Sequence, residues 1–434
     1  MSYYNEKIET MAPAEMKKLQ GERLCALVKR AYDHVPYYRA KMERAGLTPA
    51  DIRGMDDLYK LPFTTKQDLR DAYPYKGFAV PMSEVKRIHA SSGTTGTATV
   101  VGYTAEDLDN WAESVARALV SVGASKEDIV HVSYGYGLFT GGLGLHDGAD
   151  KLGCAVIPVS SGNTKRQLQI LRDFRSTVIA CTPSYALYLG DELAEAGIDP
   201  SELSLKYGIF GAEPWTDEMR DEIEQRLGLR AHNIYGLSEV AGPGVACECA
   251  ERTGMHIQHD FYYPEIVDPE TLENLPDGEY GELCFTCLNK QALPLIRYRT
   301  RDITKLTHET CACGRTTPRM ERVTGRTDDM LIIRGVNVFP SQIEAVLLRV
   351  GGVLPHYMIY VDRKGELDTI EIKLEMTPEL FSDSVKSIEA LENRIKKELN
   401  SELLISCKVT LVEPKTLPRS EGKAVRVTDL RKLK

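Results

Sequence analysis

Hydrophobic and polar residues form two distinct patterns along this chain. The apolar residues after Thr104 recur at intervals of three or four, which predicts an amphipathic helix with Thr104 as its N-cap. These residues are Leu108, Trp111, Val115 and Leu119. Beyond residue 128, short apolar runs alternate with segments of helical spacing, which predicts a mostly parallel sheet covered by helices. The runs cover 129–132, 178–181, 209–210 and the residues up to 234, and the helices lie near 165–174, around Leu187 and Leu193, and over 216–227.

The rest of the chain contains two further sections. After residue 260 the apolar runs are typical of strands and hairpins, and they cover 264–267, 281–288 and 295–298. A third section, from about residue 328, has two strand-like runs, a helix and a last strand, which is enough for a small α+β domain. These elements are expected at 357–361, 369–374, 385–398 and 408–412. Since 434 residues exceed the size at which one core usually stops growing, two or more domains are expected.

The stretch from Ser91 to Thr97 joins two apolar runs and reads SSGTTGT. Glycine and small hydroxylated residues expose backbone N–H groups, which favours a phosphate-binding loop. A flexible linker is the alternative, and the position of the stretch between strand-like runs argues against it. The loop lacks the Gly-Lys-Ser/Thr ending of a P-loop, so NTPase chemistry of that type is not indicated.

Two predicted strands end in segments that could bind a ligand. They are GAEP at 211–214 and YGLSE at 235–239. Ligands of parallel sheets bind beyond the carboxyl ends of the strands. We therefore expect both segments to line one site, with Glu239 next to the loop at 91–97.

Composition narrows the class of protein. The net charge of −9 gives no reason to expect a nucleic acid as partner. The N-terminus has interspersed charges and helical spacing rather than the profile of a signal peptide, and no window has the apolar length of a membrane span. Ten cysteines in a chain of this length do not indicate a disulfide scaffold. We expect a cytoplasmic protein without a membrane partner.

Seven motifs carry a resemblance to a known family. They are SSGTTGT at 91–97, YGYGLFTGGLG at 134–144, GAEP at 211–214, YGLSE at 235–239, PLIRYRTRD at 294–302, GRTDDMLIIRGVNVFP at 325–340 and PRSEGKA at 418–424. In these motifs, and nearly from end to end, the chain resembles the phenylacetate–CoA ligase family within the adenylate-forming superfamily of acyl-CoA synthetases. The resemblance implies an α/β fold with a large N-terminal adenylation domain, residues 1–326, of helix-covered sheets plus a β-rich section. A small mobile α+β C-terminal domain, residues 327–434, would follow.

The resemblance also implies a reaction in two steps. A carboxylate attacks the α-phosphate of MgATP and gives an acyl-adenylate and pyrophosphate. The thiol of coenzyme A then displaces AMP. ATP, Mg²⁺ and coenzyme A are the cofactors and co-substrates expected, and a homodimer is the assembly that the family suggests.

The nucleotide-binding residues follow from the motifs. The loop would hold the β- and γ-phosphates by its N–H groups, with Thr95 or one of its neighbours helping to seat the metal, and Glu239 would bind Mg²⁺. Tyr235 would stack on adenine, and Asp302 would accept hydrogen bonds from the ribose hydroxyls. Arg299 and Arg301 could instead be ordinary ion-pair partners of Asp302. The full set is Ser91, Ser92, Gly93, Thr94, Thr95, Gly96, Gly211, Ala212, Glu213, Pro214, Tyr235, Gly236, Leu237, Ser238, Asp302 and Arg326.

The C-terminal section supplies residues for both steps. Asp328 resembles the hinge about which the small domain rotates. Lys423, which composition alone would leave as a surface lysine, would reach the α-phosphate during adenylation and offset the developing charge. Gly335 and Asn337 would face the thiol of coenzyme A in the second step.

The acyl pocket is expected where aromatic residues neighbour paired glycines. Such residues leave a flat apolar slot, which suits an aryl ring better than a long alkyl chain. Aromatic packing at a strand end is the alternative. The candidates are Tyr134, Tyr136, Phe139, Gly141, Gly142 and Ile234.

Six of the ten cysteines fall between Cys247 and Cys313. Thiolates and imidazole suit tetrahedral zinc, although C-x-C pairs are less diagnostic than C-x-x-C and buried neutral cysteines are common in cores. We predict a structural zinc that takes no part in the chemistry. Its ligands would be Cys249, His256, Cys311 and Cys313, with Cys247 and His259 as substitutes.

Two other functions remain open from the sequence. An enzyme of the same fold could transfer a nucleotidyl group without using coenzyme A. A non-catalytic nucleotide-binding protein is the second, and the complete set of Glu239, Asp302, Arg326 and Lys423 argues against it.

Overall fold

The N-terminus forms a helical layer. The computed structural model describes residues 2–91, 98–327, 331–334, 336–350, 353–364, 367–381, 385–403, 405–418 and 426–432. Its first helices are α1 (Glu6–Glu9), α2 (Pro13–His34), α3 (Pro36–Arg44) and α4 (Lys66–Asp71). Both α2 and α3 begin with proline, whose fixed φ suits the first helical position. The apolar face of α2, including Leu24 and Val28, packs in one cluster with Leu288 and Ile296.

A short hairpin follows and frames the predicted phosphate loop. Its strands β1 (Arg87–Ala90) and β2 (Val100–Tyr103) pair antiparallel. The base of the loop is closed by Ser91, whose N–H donates to the carbonyl of Thr99 at 3.0 Å. The N–H of Thr99 donates back to Oγ of Ser91 at 3.0 Å. The helix predicted after Thr104 is confirmed as α5 (Ala105–Val122), with the Thr104 side chain accepting from the N–H of Asp107.

The centre of the molecule is a nine-stranded sheet. Its first five strands form the parallel part, in the spatial order β4–β3–β5–β6–β7. They are β3 (Ile129–Val132), β4 (Ala155–Ile157), β5 (Val178–Cys181), β6 (Tyr207–Gly211) and β7 (Arg230–Leu237). The helices between them are α6 (Thr140–Leu152), α7 (Thr164–Asp173), α8 (Pro183–Glu195) and α9 (Asp217–Leu227). The predicted alternation of runs and helices is confirmed here, with α6 and β4 added.

Helix α6 was not predicted because glycine is a poor helix former. Its glycines allow it to lie closely against α5. A Cβ atom on Gly144 would lie 2.3 Å from the ring of Trp111, and one on Gly148 would lie 2.3 Å from Val115. Tertiary packing therefore overrides propensity in this helix.

The β-rich section adds strands to the large sheet and builds a second one. These strands are β8 (Gly242–Glu248), β9 (Met255–Ile257), β10 (Tyr262–Val267), β11 (Gly281–Cys287), β12 (Tyr298–Thr304), β13 (Leu306–Thr307), β14 (Arg319–Met320) and β15 (Gly325–Arg326). Strands β8, β9, β14 and β13 extend the large sheet antiparallel, so the prediction of a mostly parallel sheet is correct only for β3 to β7. The second sheet has the order β10–β11–β12–β15 and is antiparallel throughout.

The run predicted as a strand at 295–298 is wrong in its bounds. Strand β12 begins only at Tyr298. Leu295 and Ile296 are buried in side-chain clusters outside any strand, and Arg297 has a φ of 45°, which interrupts extended backbone. Apolar character there reflects packing rather than strand formation.

The C-terminal section is a small α+β unit with its own hydrophobic core. Its elements are β16 (Leu331–Ile333), β17 (Val336–Val338), α10 (Pro340–Val350), β18 (Val353–Lys364), β19 (Leu367–Met376), α11 (Pro378–Phe381), α12 (Val385–Leu403), β20 (Lys408–Val412) and β21 (Val427–Asp429). The main sheet has the order β20–β19–β18–β21. The predicted strands and helix are confirmed, and the sequence missed α10, α11, the β16–β17 hairpin and β21, which follows the run expected to be the last strand. Within the described ranges, no helix has both the length and the apolar character that crossing a membrane requires.

Candidate active site

The carboxyl end of β6 comes very close to β7. A Cβ atom on Gly211 would lie 2.1 Å from the carbonyl oxygen of Ile234, so only glycine fits there. Ala212 follows with a φ of 71°, a conformation that turns the chain sharply. The carboxylate of Glu213 accepts a hydrogen bond of 2.7 Å from the N–H of Ser184 at the start of α8. The segment 211–214 is thus a fixed turn at the predicted edge of the sheet.

The second sheet brings Asp302 to the end of β7. The Tyr235 hydroxyl donates to Oδ2 of Asp302 at 2.6 Å, and Nη1 of Arg326 donates to Oδ1 at 2.8 Å. Asp302 and Arg326 are direct partners in the β12–β15 register. Burial, together with the Asp302 carboxylate, raises the pKa of Tyr235 well above its usual value. Tyr235 therefore stays protonated and acts as the donor.

The sequence left Arg299 and Arg301 open as partners of Asp302, and the structure assigns both to another carboxylate. Nη2 of Arg299 lies 2.6 Å from Glu282 on β11, and Nη1 of Arg301 lies 3.5 Å from it. Side chains on a strand alternate between its two faces, so residues 299 and 301 share a face that 302 does not. Arg326 provides the charge opposite Asp302.

Glu239 is buried in the turn that joins β7 to β8. Oε1 of its carboxylate lies 3.4 Å from Nζ of Lys66, the first residue of α4. Lys66 comes near because Thr64 runs beside β12, where its carbonyl accepts from the N–H of Arg299 at 2.9 Å. Sequence reasoning missed Lys66, since nothing in the pattern links residue 66 to residue 239.

The predicted acyl pocket has one fixed wall and one exposed ring. The Tyr134 hydroxyl donates to the carbonyl of Cys181 at 2.6 Å and accepts from the N–H of Gly211 at 3.1 Å, so this ring is tied to the β5 and β6 ends. The ring of Phe139 lies 6.4 Å from it and is 45% exposed. A Cβ atom on Gly141 would lie 2.4 Å from Phe139.

The other residues predicted for the acyl pocket lie in different environments. Tyr136 is half-buried, and its hydroxyl lies 3.3 Å from Nδ1 of His146, a residue that sequence reasoning did not include. A Cβ atom on Gly142 would lie 2.8 Å from the carbonyl of Gly135. Ile234 is buried behind the turn at 211–214.

Several predicted residues fall outside the part of the chain that the structure describes. They are Ser92, Gly93, Thr94, Thr95, Gly96, Asp328, Gly335 and Lys423. Asn337 lies in β17. The turn with Ser238 is described: its Oγ lies 3.2 Å from Oγ1 of Thr140, and its carbonyl accepts from the Tyr103 hydroxyl at 3.1 Å.

A second group of side chains lies in the β-rich section. Ligand atoms of Cys249, His256, Cys311 and Cys313 all lie within 4.8 Å of one another, and all four residues are buried. The Sγ atoms of Cys249 and Cys311 are 3.8 Å apart, and Sγ of Cys313 is 3.4 Å from Nε2 of His256. Nδ1 of His256 lies 2.8 Å from the Thr317 hydroxyl, which fixes the ring orientation.

The two substitutes named from sequence are not part of this cluster. Cys247 lies on β8, where it pairs with His256 across the ladder, and the free thiol is buried with the large core. The carbonyl of His259 accepts from Gln20 on α2 at 3.0 Å. Strand β8 ends at Glu248, so Cys249 lies just beyond the strand, where it clusters with Cys311 and Cys313, whereas Cys247 stays within the ladder.

Comparison with known proteins identifies the family. The model of the AMP-binding enzyme family matches residues 143–287, and that of the AMP-binding enzyme C-terminal domain matches 335–431. A phenylacetate-coenzyme A ligase of Thermus thermophilus is 52% identical, over 99% of this chain and 100% of its own. One of Escherichia coli is 53% identical, over 99% of this chain and 98% of its own. The chain belongs to the phenylacetate–CoA ligase family.

Solved structures agree with this family and its fold. A 2-hydroxyisobutyryl-CoA ligase in the postadenylation state, in complex with 2-HIB-AMP, superposes with a TM-score of 0.92 at 30% identity, over 98% of this chain and 92% of that chain. The same ligase with 2-HIB-AMP and CoA in the thioesterification state gives 0.73, over 99% of this chain and 93% of that chain. The coverage is nearly the same in the two comparisons, so the whole chain superposes better on the postadenylation state.

Proposed function

We propose that this member of the family ligates an aryl carboxylic acid, phenylacetate or a close relative, to coenzyme A through an acyl-adenylate. AMP and pyrophosphate leave in this reaction. The observation that carries the proposal is the Asp302 carboxylate, held between the Tyr235 hydroxyl and Arg326 at the end of β7. A carboxylate fixed by two donors is suited to accept the two ribose hydroxyls of a nucleotide.

The neighbouring residues support the same assignment. The turn at 211–214 lies at the carboxyl end of β6, where ligands of parallel sheets bind, and the buried Glu239 offers a hard oxygen ligand to Mg²⁺ near the phosphates. Magnesium would shield the phosphate charge and orient the α-phosphate toward the acid. The residues of the chain itself position the nucleotide, and Lys423 would add a positive charge at the α-phosphate.

The domain arrangement fits the first step. We assign residues 1–326 to the adenylation domain and residues 327–434 to the mobile domain, which the separate core of the C-terminal section supports. Asp328 would be the hinge between them. The similarity to the postadenylation form of a related ligase suggests that the described arrangement serves adenylation, with rotation before the thiol attacks.

We also propose a structural zinc ion bound by Cys249, His256, Cys311 and Cys313. A tetrahedral zinc with ordinary bond lengths has sulfur–sulfur edges of about 3.8 Å and sulfur–nitrogen edges of about 3.6 Å. The distances of 3.8 Å and 3.4 Å in the cluster match these edges. The contact of His256 with Thr317 is the outer-shell partner that metal-bound histidines usually have. The homodimer and the cytoplasmic location stay predictions from sequence.

The proposal is tested by AMP formation with a panel of aryl and alkyl acids, with and without coenzyme A. We expect thioester from phenylacetate or a close aryl acid, and far less from alkyl acids. Adenylate without thioester would support the nucleotidyl-transfer alternative, which the similarity to CoA ligases over the full length does not favour. Absence of turnover with every acid would contradict the proposal.

A further inference from the structure

A buried lysine lies against the turn that carries Glu239. Lys290 is in the connection between β11 and β12, and only 6% of its surface is exposed. Its Nζ atom donates hydrogen bonds of 2.7 Å to the carbonyl oxygens of Glu239 and of Val240. Two consecutive carbonyls of one turn are therefore held by a single ammonium group.

The environment of Lys290 explains why an amino group is present. Among the residues that the structure describes, no carboxylate forms an ion pair with Lys290, and its Nζ atom lies 4.7 Å from the ring centroid of Tyr103. Burial lowers the pKa of Lys290, because removing an ammonium group from water is unfavourable. A neutral side chain would fill the same space without this cost. We therefore attribute the role of the amino group to its two hydrogen bonds.

Other buried side chains hold the same turn at its two ends. The Tyr103 hydroxyl donates to the carbonyl of Ser238 at 3.1 Å. Nε1 of Trp111 donates to the carbonyl of Pro243 at 2.9 Å. The main chain of the turn is thus fixed on one side, while the carboxylate of Glu239 lies beside Lys66 on the other. Lys290 supplies the two central hydrogen bonds of this arrangement.

We propose that Lys290 is a positioning residue for the adenylation step: it fixes the main chain of Glu239 so that the carboxylate meets the Mg²⁺ of MgATP. The inference rests on the proposed function, and in particular on Glu239 as a ligand of the metal. Residues that orient a metal ligand typically affect metal affinity or activity by about 10- to 100-fold. Lys290 acts on the ligand through the backbone and touches no substrate.

The test compares Lys290→Met with Arg220→Met as a control. Arg220 is also buried and donates to a main-chain carbonyl, that of Ala231, at 3.0 Å. Ala231 lies at the opposite end of β7 from the Glu239 turn, so this variant loses a buried cation without touching the site. It also leaves the buried Glu248 without its ion-pair partner, so it is the more disruptive of the two variants, and a general loss of stability would affect it more. Pyrophosphate exchange is measured as a function of Mg²⁺ concentration, and MgATP and AMP binding by calorimetry.

For Lys290→Met we expect the half-saturating Mg²⁺ concentration to rise about tenfold or more and MgATP binding to weaken alike, with AMP binding changed less than about threefold. Lys290→Arg, which keeps donors for both carbonyls, should recover part of the loss. If Lys290→Met does not fold, Lys290→Gln takes its place. Equal Mg²⁺ dependence in Lys290→Met and Arg220→Met, or equal loss of AMP and MgATP binding, would overturn the inference. Turnover of the unaltered chain with phenylacetate tests the proposed function separately.

Discussion

Removal of the proposed zinc ion should destabilise the large domain, and the size of the effect follows from the number of residues between its ligands. The ion would join Cys249 to Cys311, which are 62 residues apart in sequence. In the chain-entropy model, a cross-link that closes a loop of this length stabilises the folded state by about 4 kcal/mol. With an unfolding entropy of about 2.1 cal/mol/K per residue, a domain of about 330 residues would then unfold about 6 °C lower.

The variant for this measurement is Cys311→Ala, and Cys284→Ala is its control. Both cysteines are buried, and Cys284 lies on β11 outside the cluster. Each substitution removes the same atoms from the interior, so the loss of packing is similar. The unfolding temperature of Cys311→Ala should lie about 6 °C below that of Cys284→Ala.

Metal content and protease resistance provide independent readouts. We expect one zinc per chain in the purified protein and in Cys284→Ala, and much less in Cys311→Ala, by elemental analysis. The Tyr3 hydroxyl donates to the carbonyl of Cys313 at 2.9 Å, and Arg315 pairs with Glu9 at 2.7 Å, so the N-terminal segment should become more susceptible to proteases when the metal is lost. A metal-free purified protein, or equal unfolding temperatures of the two variants, would refute the assignment.

Three further predictions concern catalysis and pH. Lys423→Ala should reduce pyrophosphate exchange by about 10²- to 10³-fold yet leave thioester formation from supplied acyl-adenylate; equal loss in both steps would contradict its role. Tyr235→Phe removes a hydrogen bond to the Asp302 carboxylate, worth about 1.5–3 kcal/mol, so kcat/KM for ATP should fall at least about tenfold; an unchanged value would exclude Asp302 from ribose binding. Burial lowers the pKa of His131 to about 4 and that of His232 to about 3, from 6.5. Below pH 6.5 the unfolded chain binds protons that the folded chain does not, so each imidazole should lower the free energy of unfolding by up to about 1.4 kcal/mol per pH unit down to pH 4. Urea unfolding between pH 7.5 and pH 5 measures this slope, and a His131→Gln variant with an undiminished slope would contradict the explanation.

Elements whose signals lie within one segment were predictable from sequence, and elements that depend on distant segments were not. Regular apolar spacing with a capping threonine predicted α5 correctly, because both signals lie within the helix itself. Helix α6 could not be found in this manner, since its glycines are explained only by the rings and helices that contact them. The run at 295–298 is apolar because it is buried, and the positive φ of Arg297 prevents a strand there.

The candidate site also has features that the sequence predicts and features that it does not. The residue types can be read from the amino-acid sequence alone: a hydroxylated loop, two strand ends, a carboxylate at 302 and a group of cysteines around one histidine. Motifs preserve such residues in order along the chain, so their chemistry could be recognised without coordinates. Their partners could not, because Lys66 and Lys290 reach Glu239 from distant segments and have no spacing relation to it.

The pairings between these residues became visible in the folded chain. It assigned Arg326 rather than Arg299 to Asp302, and it brought Cys249 rather than Cys247 to the cysteine cluster. The first choice depends on which strand lies next to β12, and the second on where β8 ends, since Cys249 follows its last residue. Sequence spacing fixes the alternation along a strand, but the register between strands follows from packing of the whole domain.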